Sequence, residues 1–222
     1  MSGLERAFFA RPVLEVAPDL LGCRLVRVLP DGTRLVGRIV EVEAYLGDGS
    51  DPGSHSQRGP TRRNRSMFGP PGHFYVYLSH GLHFCANLVC EPAGTGAAVL
   101  LRAVEPLAGE ARMRGLRADR LRAARTRLEL TNGPGKLAQA FAITLADDGA
   151  SALRGALRIE TGSGGKARGD AHELAIATSP RIGLGKAIEL PYRFFLPGNI
   201  WVSRRAGRAR SLTPIIGAPC RM

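Results

Sequence analysis

The sequence predicts an α+β fold: one domain built on a largely antiparallel, curved sheet that is flanked by helices. Strand-like and helix-like segments follow each other along the 222 residues without the regular rhythm of a parallel α/β protein. Hydrophobic residues make up 44% of the chain, which is enough for one large core. No internal repeat divides the sequence. We therefore expect a single domain over residues 1–203 and a basic, flexible tail over 204–222.

Local residue patterns predict each element. β-Branched residues favour strands, apolar residues at helical spacing favour helices, and clusters of Gly, Pro, Asn and Asp favour turns. In the first part of the chain, the patterns predict a helix over 12–21, two strands within 23–47 around the turn Pro30-Asp31-Gly32, and a polar loop over 47–73. Strands follow over 73–90, with a break near His80-Gly81, and over 97–107. The remainder is predicted to form helices over 111–130 and 135–143, a mobile surface loop over 161–170, and closing strands within 177–185 and 192–203. A loop as long as 47–73 usually serves a function when it is ordered.

The charge of the chain indicates a polyanionic partner. Lysine and arginine number 31 against 19 aspartate and glutamate, so the net charge is +12 and the isoelectric point lies near 10.7. This balance favours binding to nucleic acid or to an anionic membrane surface. No stretch approaches the roughly 18 apolar residues of a membrane span, and the N-terminus lacks the pattern of a signal peptide. The four cysteines show no CxxC spacing, and we expect them to be reduced thiols in the cytoplasm.

The segment Glu41-Val42-Glu43-Ala44-Tyr45 is the first candidate site. Alternate residues of a strand point to the same face, so Glu41, Glu43 and Tyr45 share one face. The positions that alternate with them are apolar: Val40, Val42 and Ala44. Two carboxylates and a phenol on one face form either a solvated surface or a pocket. In a pocket, neighbouring carboxylates titrate apart, which lets one of them act as a base near neutral pH.

Further polar groups lie on strand segments nearby in the sequence. Tyr75 and Tyr77 share a face, and so do His83, Cys85 and Asn87. Between these segments and the two glutamates, the loop carries a run of arginines over 61–65. A basic loop beside an aromatic, acidic pocket suits a nucleic acid whose backbone is held while one base enters the pocket. Taken alone, the arginine run also fits a solvated surface.

Several ordered motifs resemble one known family. GRIVEVEAYLG, His55-Ser56, RRNRSMFGPPG, YVYLSHGLHFCAN, AAVLLRAVEPL and NGPGKLAQA are similar, in this order, to segments of the alkyladenine (3-methyladenine) DNA glycosylases. The similarity extends from about Phe9 to about Ser203. The resemblance implies a base excision repair enzyme that flips alkylated or deaminated purines out of the duplex. It also implies hydrolysis of the N-glycosidic bond of 3-methyladenine, hypoxanthine or ethenoadenine.

The resemblance also implies roles for individual residues. Glu43 matches the general base that activates water, and Arg102 matches the arginine that helps to arrange this water. Tyr45 on one side, and Tyr77 with His55 on the other, match the aromatic sandwich around the flipped base. Cations over aromatic faces gain about 0.5–2 kcal/mol, which suits an alkylated purine. A further match is Asn87, at the position that disfavours guanine by crowding its 2-amino group.

A protruding hairpin is expected to enter the DNA. The resemblance implies that the tip of the predicted hairpin separates the strands, with further DNA contacts from the preceding loop: His80, Gly81, Leu82, His83, Arg62, Arg63 and Met67. Family members carry tyrosine at the wedge position, whereas this chain carries His80. Imidazole is smaller than phenol, so we expect it to hold the gap less well. A protonated imidazole also carries a positive charge that can contact phosphate.

Three short patterns suggest other sites but lack required residues. A zinc site would need a different spacing from that of His80, His83, Cys85 and Cys90. The segment 133–136 ends in Gly-Lys, but the other residues of a phosphate-binding P-loop are missing. His172-Glu173 lacks the second histidine of an HExxH motif because position 176 is Ile. We therefore expect no metal and no organic cofactor.

These observations lead to one expectation and three alternatives. The expected protein is a monofunctional glycosylase that acts as a monomer on double-stranded DNA containing damaged purines, without a membrane, in the cytoplasm near the nucleoid. One alternative is a lyase that forms a Schiff base through Lys136. Another is a nucleic-acid-binding module without catalysis, since basic loops and aromatic side chains also bind single strands. The third is an acyl-transfer domain of related fold, for which a convincing nucleophile is missing.

Overall fold

A computed structural model describes residues 4–118, 127–162, 175–185 and 189–203. In these parts the chain forms one curled antiparallel sheet with a few short helices, which confirms the predicted α+β class. Three predicted segments lie wholly or partly outside the described residues: the surface loop over 161–170, the helix over 111–130 and the tail over 204–222.

The described elements alternate between strands and short helices. The strands are β1 (Arg24–Val28), β2 (Arg34–Tyr45), β3 (Phe74–Ser79), β4 (His83–Cys90), β5 (Ala97–Ala108), β6 (Leu157–Glu160), β7 (Ala177–Ser179) and β8 (Arg193–Phe195). The α-helices are α1 (Arg6–Phe9), α2 (Val13–Asp19), α3 (Glu110–Leu116) and α4 (Pro134–Ala140), and 3-10 helices cover Arg65–Phe68, Arg127–Leu130 and Leu145–Asp147.

The long strand β2 organises the sheet. The strand order is β3-β4-β5-β2-β1-β6, with every pair antiparallel. On its other edge, β2 pairs with β1 through its first half and with β8 through residues 41–43, and β8 pairs in turn with β7. Because one strand divides its pairing between two neighbours, the sheet curls, and the inner side of the curl lies at the second half of β2.

The core lies where helices cover the sheet. Helix α2 packs against β2 and β5, and α4 packs against β4 and β5. The predicted apolar positions of β2 have no exposed surface and belong to this core: Val40, Val42 and Ala44. Fully burying a Val or Leu side chain contributes about 1.5–3 kcal/mol, so this packing fixes the register of β2. No helix in the described parts of the chain is long and apolar enough to cross a membrane.

Two segments differ from the sequence-based expectation. The helix expected over 111–130 ends at Leu116 in its first described part, and its last four residues form a 3-10 helix rather than an α-helix. Strand β6 was not predicted. Its four residues are too few to show a periodicity, and it exists because β1 offers a free edge with which Leu157–Glu160 pairs.

Candidate active site

The pairing of β2 with β5 contains a β-bulge at Arg102. Glu41 pairs with Ala103 and the next residue, Val42, pairs with Leu101, so Arg102 has no partner across the ladder. A bulge turns the extra residue out of the regular alternation and redirects its side chain. This local geometry points the guanidinium of Arg102 at the glutamates of β2.

A row of paired residues crosses the sheet through Glu43. Tyr75 pairs with Asn87, Asn87 with Leu100, Leu100 with Glu43, and Glu43 with Arg193. Directly opposed residues in antiparallel strands project to the same face. The row therefore collects side chains from β3, β4, β5, β2 and β8 on the inner side of the curl.

Glu43 is buried without exposed surface. Its Oε2 atom accepts hydrogen bonds from the Tyr45 hydroxyl at 3.0 Å and from Arg102 Nη1 at 3.1 Å. Its Oε1 atom accepts one from the backbone N–H of Ile182 at 2.7 Å. Burial, and then the charge of Glu43, raise the pKa of the Tyr45 phenol, so the phenol stays protonated and acts as the donor.

Glu41 is equally buried but is held by more donors. Its Oε1 atom accepts hydrogen bonds from Arg102 Nε at 2.9 Å, Arg193 Nε at 2.7 Å and the Ser203 hydroxyl at 2.7 Å. The Ser203 N–H donates to Oε2 at 2.6 Å. Burial alone would raise the pKa of Glu41, but the two guanidinium groups and Ser203 outweigh it and lower the pKa, so Glu41 is ionised.

The two carboxylates differ in the donors that they bind. An ionised carboxylate has about four lone-pair sites, two on each oxygen. Among the described residues, Glu41 accepts four hydrogen bonds, three at Oε1 and one at Oε2, and Glu43 accepts three, two at Oε2 and one at Oε1. Each carboxylate therefore has one oxygen with a single donor, and for Glu43 it is Oε1, bound by the Ile182 N–H. Of the two glutamates, only Glu43 accepts a hydrogen bond from the Tyr45 hydroxyl.

Tyr45 forms one aromatic wall beside Glu43. The guanidinium carbon of Arg181 lies 4.5 Å from the centroid of its ring. Arg181 is held by a two-pronged ion pair with Asp51, at 2.6 Å for each contact, and by the carbonyl of Ala44 at 3.0 Å. Neither side chain of this ion pair has exposed surface. Arg181 thus covers one face of Tyr45.

His55 and Tyr77 form a second aromatic wall. Their ring centroids are 4.5 Å apart at an interplanar angle of 73°, and Tyr75 stacks on Tyr77 at 5.4 Å. The Nδ1 atom of His55 lies 2.9 Å from the Tyr75 hydroxyl. Partial burial, and then the positive charge of Arg63, lower the pKa of His55. The imidazole is therefore neutral at pH 7.

Both walls rest on one small apolar cluster. Tyr45 and Tyr77 pack against four buried residues: Met67, Tyr75, Val89 and Ala98. Met67 is only 2% exposed, so it supports the aromatic walls from behind. The DNA contact expected for Met67 is therefore limited to the 2% of this residue that is exposed. Asn87 is also buried, and its Nδ2 donates to the Tyr75 carbonyl at 3.0 Å.

The hairpin of β3 and β4 ends in an exposed tip. His80 and Gly81 have φ angles of +50° and +69°, and the Leu82 N–H donates to the Ser79 carbonyl at 3.0 Å. Tight hairpin turns require such left-handed residues. Leu82 is 67% exposed, and His80 and His83 are exposed as well. Arg62 and Arg63, on the preceding loop, are exposed too, and Arg63 Nη2 donates to the Leu78 carbonyl at 2.8 Å.

Comparison with known proteins identifies the family. A sequence model of methylpurine-DNA glycosylases matches residues 7–200, which is most of the chain. The chain belongs to the methylpurine-DNA glycosylase family. It is therefore a DNA N-glycosylase, a hydrolase that acts on alkylated purines in DNA.

Related chains of similar length occur in bacteria and archaea. A relative from Methanocella arvoryzae is 47% identical over 210 residues, which cover 93% of this chain and 98% of the relative. One from Methanoculleus marisnigri is 45% identical, covering 91% and 99%, and one from Burkholderia lata is 44% identical, covering 90% of each. All three carry the name "Putative 3-methyladenine DNA glycosylase".

Sequence reasoning missed four residues that surround the glutamates of this glycosylase: Asp51, Arg181, Arg193 and Ser203. Each forms buried hydrogen bonds or ion pairs with groups far away in the sequence. The one available signal was Arg193 itself, a charged residue inside the apolar segment Tyr192–Leu196. A charge in such a segment indicates a buried partner.

The histidines and cysteines of the segment 80–90 do not come together as a metal-binding group in the described parts of the glycosylase. No group of three or more His, Cys, Asp or Glu side chains is placed there to hold an ion. Cys85 and Cys90 are buried free thiols, and burial raises the pKa of both. Lys136 Nζ donates to Asn132 Oδ1 at 2.9 Å, at the start of α4.

Proposed function

We propose that this glycosylase flips a damaged purine out of the duplex and hydrolyses its N-glycosidic bond with a water molecule activated by Glu43. The proposed lesions are 3-methyladenine, hypoxanthine and ethenoadenine. The observation that supports the role of Glu43 is its contact with the Tyr45 hydroxyl at the aromatic wall, with a single donor on Oε1. General-base assistance of this kind contributes about 10²–10⁴-fold to the rate.

The reaction needs one proton transfer and one displacement. The water oxygen bonds to C1′ of the flipped nucleotide while its proton passes to Glu43. The bond between C1′ and the purine breaks, and its electron pair leaves with the base. Positive charge develops on the sugar in an oxocarbenium-like transition state, which a buried carboxylate stabilises. Arg102 holds the carboxylate in place through its 3.1 Å contact with Oε2.

The proposed position of the flipped base is between the two aromatic walls. We place it on the face of Tyr45 opposite Arg181, with His55 and Tyr77 on the other side. A neutral His55 does not repel a cationic alkylated purine. Damage also weakens base pairing, so flipping costs less for these lesions than for normal purines.

Asn87 is proposed to disfavour guanine. Its amide nitrogen is fixed by the Tyr75 carbonyl, so the side chain cannot turn away from an incoming base. A rigid group next to the purine edge crowds the 2-amino group of guanine, which adenine-like lesions and hypoxanthine lack. Such a contact disfavours guanine because its 2-amino group would collide with Asn87 or remain without a hydrogen-bond partner.

The hairpin tip and the arginines are proposed to hold the DNA. His80, with Gly81, Leu82 and His83 around it, occupies the gap left by the flipped nucleotide. Arg62 and Arg63 contact phosphates, which the net charge of +12 supports. One flipped base needs one pocket, so we propose that a monomer acts on double-stranded DNA, near the nucleoid.

A strand-cleavage assay tests the mechanism. Wild type and Glu43→Gln are incubated with a duplex that carries one hypoxanthine or ethenoadenine, and alkali then cleaves the abasic sites. We expect breaks with wild type alone while the variant still binds the duplex, because the amide keeps the shape of the side chain but cannot take a proton. Glu105→Gln removes a carboxylate from the same strand as Arg102, outside the proposed site, and should cleave like wild type.

Two outcomes would count against the proposal. Equal cleavage by wild type and Glu43→Gln would remove Glu43 from the role of base. A covalent adduct trapped by borohydride, and abolished by Lys136→Gln, would favour the lyase mechanism instead.

A further inference from the structure

Glu41 is a buried carboxylate that the proposed reaction does not use. It has no exposed surface, and its four hydrogen-bond donors come from β5, β8 and the residue at which the described chain ends. Burying an ionised carboxylate costs several kcal/mol unless partners compensate it. The fold provides these partners for Glu41 directly beside Glu43, which indicates that Glu41 acts on Glu43.

Arg102 connects the two glutamates through different atoms. Its Nε donates to Glu41 at 2.9 Å and its Nη1 donates to Glu43 at 3.1 Å. A guanidinium is planar, so fixing Nε also fixes the direction in which Nη1 points. Without Glu41, the guanidinium could turn and pair with Glu43 through two nitrogens, which would occupy the lone pairs of the base.

The buried charges also balance. Glu41 and Glu43 face Arg102 and Arg193, and all four side chains are buried. Burial opposes the charge of Arg102, but the two glutamates outweigh burial and raise its pKa, so it stays a cation. With Glu41 ionised, the positive charge of Arg193 is compensated locally. Arg181 is compensated in the same way by Asp51, so Arg102 is the cation that Glu43 itself pairs with.

We propose that Glu41 is a positioning residue for the hydrolysis: it compensates Arg193 and orients Arg102, so that Oε1 of Glu43 stays accessible to the proton of the water. This inference rests on the proposed role of Glu43. The groups that face Glu43 come from every element around it: Tyr45 on β2, Arg102 on β5, Tyr77 on β3, Cys85 on β4 and Arg181 before β8. Of these groups, only Arg102 also contacts Glu41.

Single-turnover rates of hypoxanthine release, measured from pH 5 to pH 9, test the role of Glu41. Glu41→Gln removes one negative charge, so Glu43 becomes harder to protonate and a weaker base. We expect the rate on the plateau to fall about tenfold, because the lost orientation of Arg102 adds to the loss of base strength, which alone lowers the rate by less than tenfold for one pKa unit. We also expect the acid limb of the profile to move to lower pH by about one unit. Glu105→Gln, the matched control, should change neither.

Ser203→Ala supplies a second, milder variant. It removes one donor from Glu41 but keeps the backbone N–H, so the negative charge of Glu41 is less neutralised. The acid limb should therefore move in the opposite direction, to higher pH, by a smaller amount. Opposite shifts in the two variants do not arise from loosened packing. If Glu41→Gln does not fold, the shift of the acid limb in Ser203→Ala alone tests whether Glu41 influences Glu43.

The outcomes separate the two proposals. Lower rates with an unmoved acid limb in both variants would show that Glu41 only supports the fold, and unchanged rates would show that it has no role. Either result leaves the proposed function intact. No base release by wild type, or full release by Glu43→Gln, would overturn the proposed function itself.

Discussion

The guanidinium of Arg181 lies against one face of the Tyr45 ring, with its central carbon 4.5 Å from the ring centroid. Asp51 fixes this guanidinium through two contacts of 2.6 Å. The ion pair therefore holds the guanidinium against this face of Tyr45. It also makes the orientation of the aromatic wall depend on a buried pair of charges.

Breaking this ion pair should destabilise the protein strongly. Arg181→Met leaves the buried Asp51 without its cation, and an uncompensated buried charge costs about 3–5 kcal/mol. Urea unfolding measures the loss of free energy. The double variant Asp51→Asn with Arg181→Met removes both charges and should recover most of the loss. Arg114→Met, which breaks an exposed pair with Glu110, should cost no more than about 1 kcal/mol. Equal losses from Arg181→Met and Arg114→Met would contradict the prediction.

The protonation of His55 should depend on Arg63. Partial burial and the charge of Arg63 both lower the pKa of His55 below the ordinary 6.5. Arg63→Gln removes a positive charge next to the imidazole and should raise this pKa, which an NMR titration of the ring nitrogens measures directly. Arg62→Gln alters a neighbouring exposed arginine that does not affect His55 in the structure and serves as the control. A larger rise in Arg62→Gln than in Arg63→Gln would refute the assignment.

The size of the wedge residue should control the affinity for abasic DNA. His80 has a φ of +50°, a conformation that His and Asn tolerate well. His80→Asn keeps this backbone but shortens the side chain, whereas His80→Tyr enlarges the stacking surface. Stacking of an aromatic ring on a base contributes about 1–3 kcal/mol, so we expect His80→Asn to bind about tenfold more weakly. We expect His80→Tyr to bind more tightly. Fluorescence anisotropy with a duplex that contains an abasic analogue provides the affinities, and three equal values would remove His80 from the wedge.

Local patterns were sufficient to predict β2 and the hairpin of β3 and β4. Alternation placed Glu41, Glu43 and Tyr45 together, and the structure places all three in one hydrogen-bonded network. Of the two interpretations of this face, a solvated surface or a pocket, the solvated surface is wrong for both glutamates, because neither has exposed surface. Such predictions succeed because burial of the apolar face fixes the register of the strand, and the register then determines which residues lie on the opposite face.

The rest of the candidate site depends on contacts that local patterns do not contain. The bulge that turns Arg102 exists only in the pairing of β5 with β2. Arg193 lies on a strand of three residues, and Ser203 contacts Glu41 across 162 positions of the chain. A strand so short shows no periodicity, and a buried ion pair requires both partners to be known in space. The roles of Arg102, Arg193 and Ser203 therefore follow from the three-dimensional structure and not from the sequence pattern.

The boundary of the domain should lie directly after Ser203. Its N–H and hydroxyl donate to Glu41, and its carbonyl accepts from Arg193 Nη2 at 3.2 Å. A chain that ends at Ser203 with an amidated C-terminus keeps these contacts without adding a carboxylate beside Glu41, and it should fold and excise hypoxanthine like the full chain. A chain that ends at Val202 loses all of them and leaves buried charges without partners, which costs about 1–3 kcal/mol or more. Thermal unfolding and strand cleavage compare the two.

DNA affinity should respond to the same truncation in a different way. Residues 204–222 contain five arginines and no acidic residue. If they contact phosphates, the chain that ends at Ser203 binds undamaged duplex more weakly and shows a shallower dependence on salt, because fewer counterions are released. Its excision rate at saturating enzyme should remain that of the full chain, since Glu41, Glu43 and Arg102 keep their contacts. A chain ending at Ser203 that unfolds at lower temperature or loses excision would place the boundary of the domain beyond Ser203.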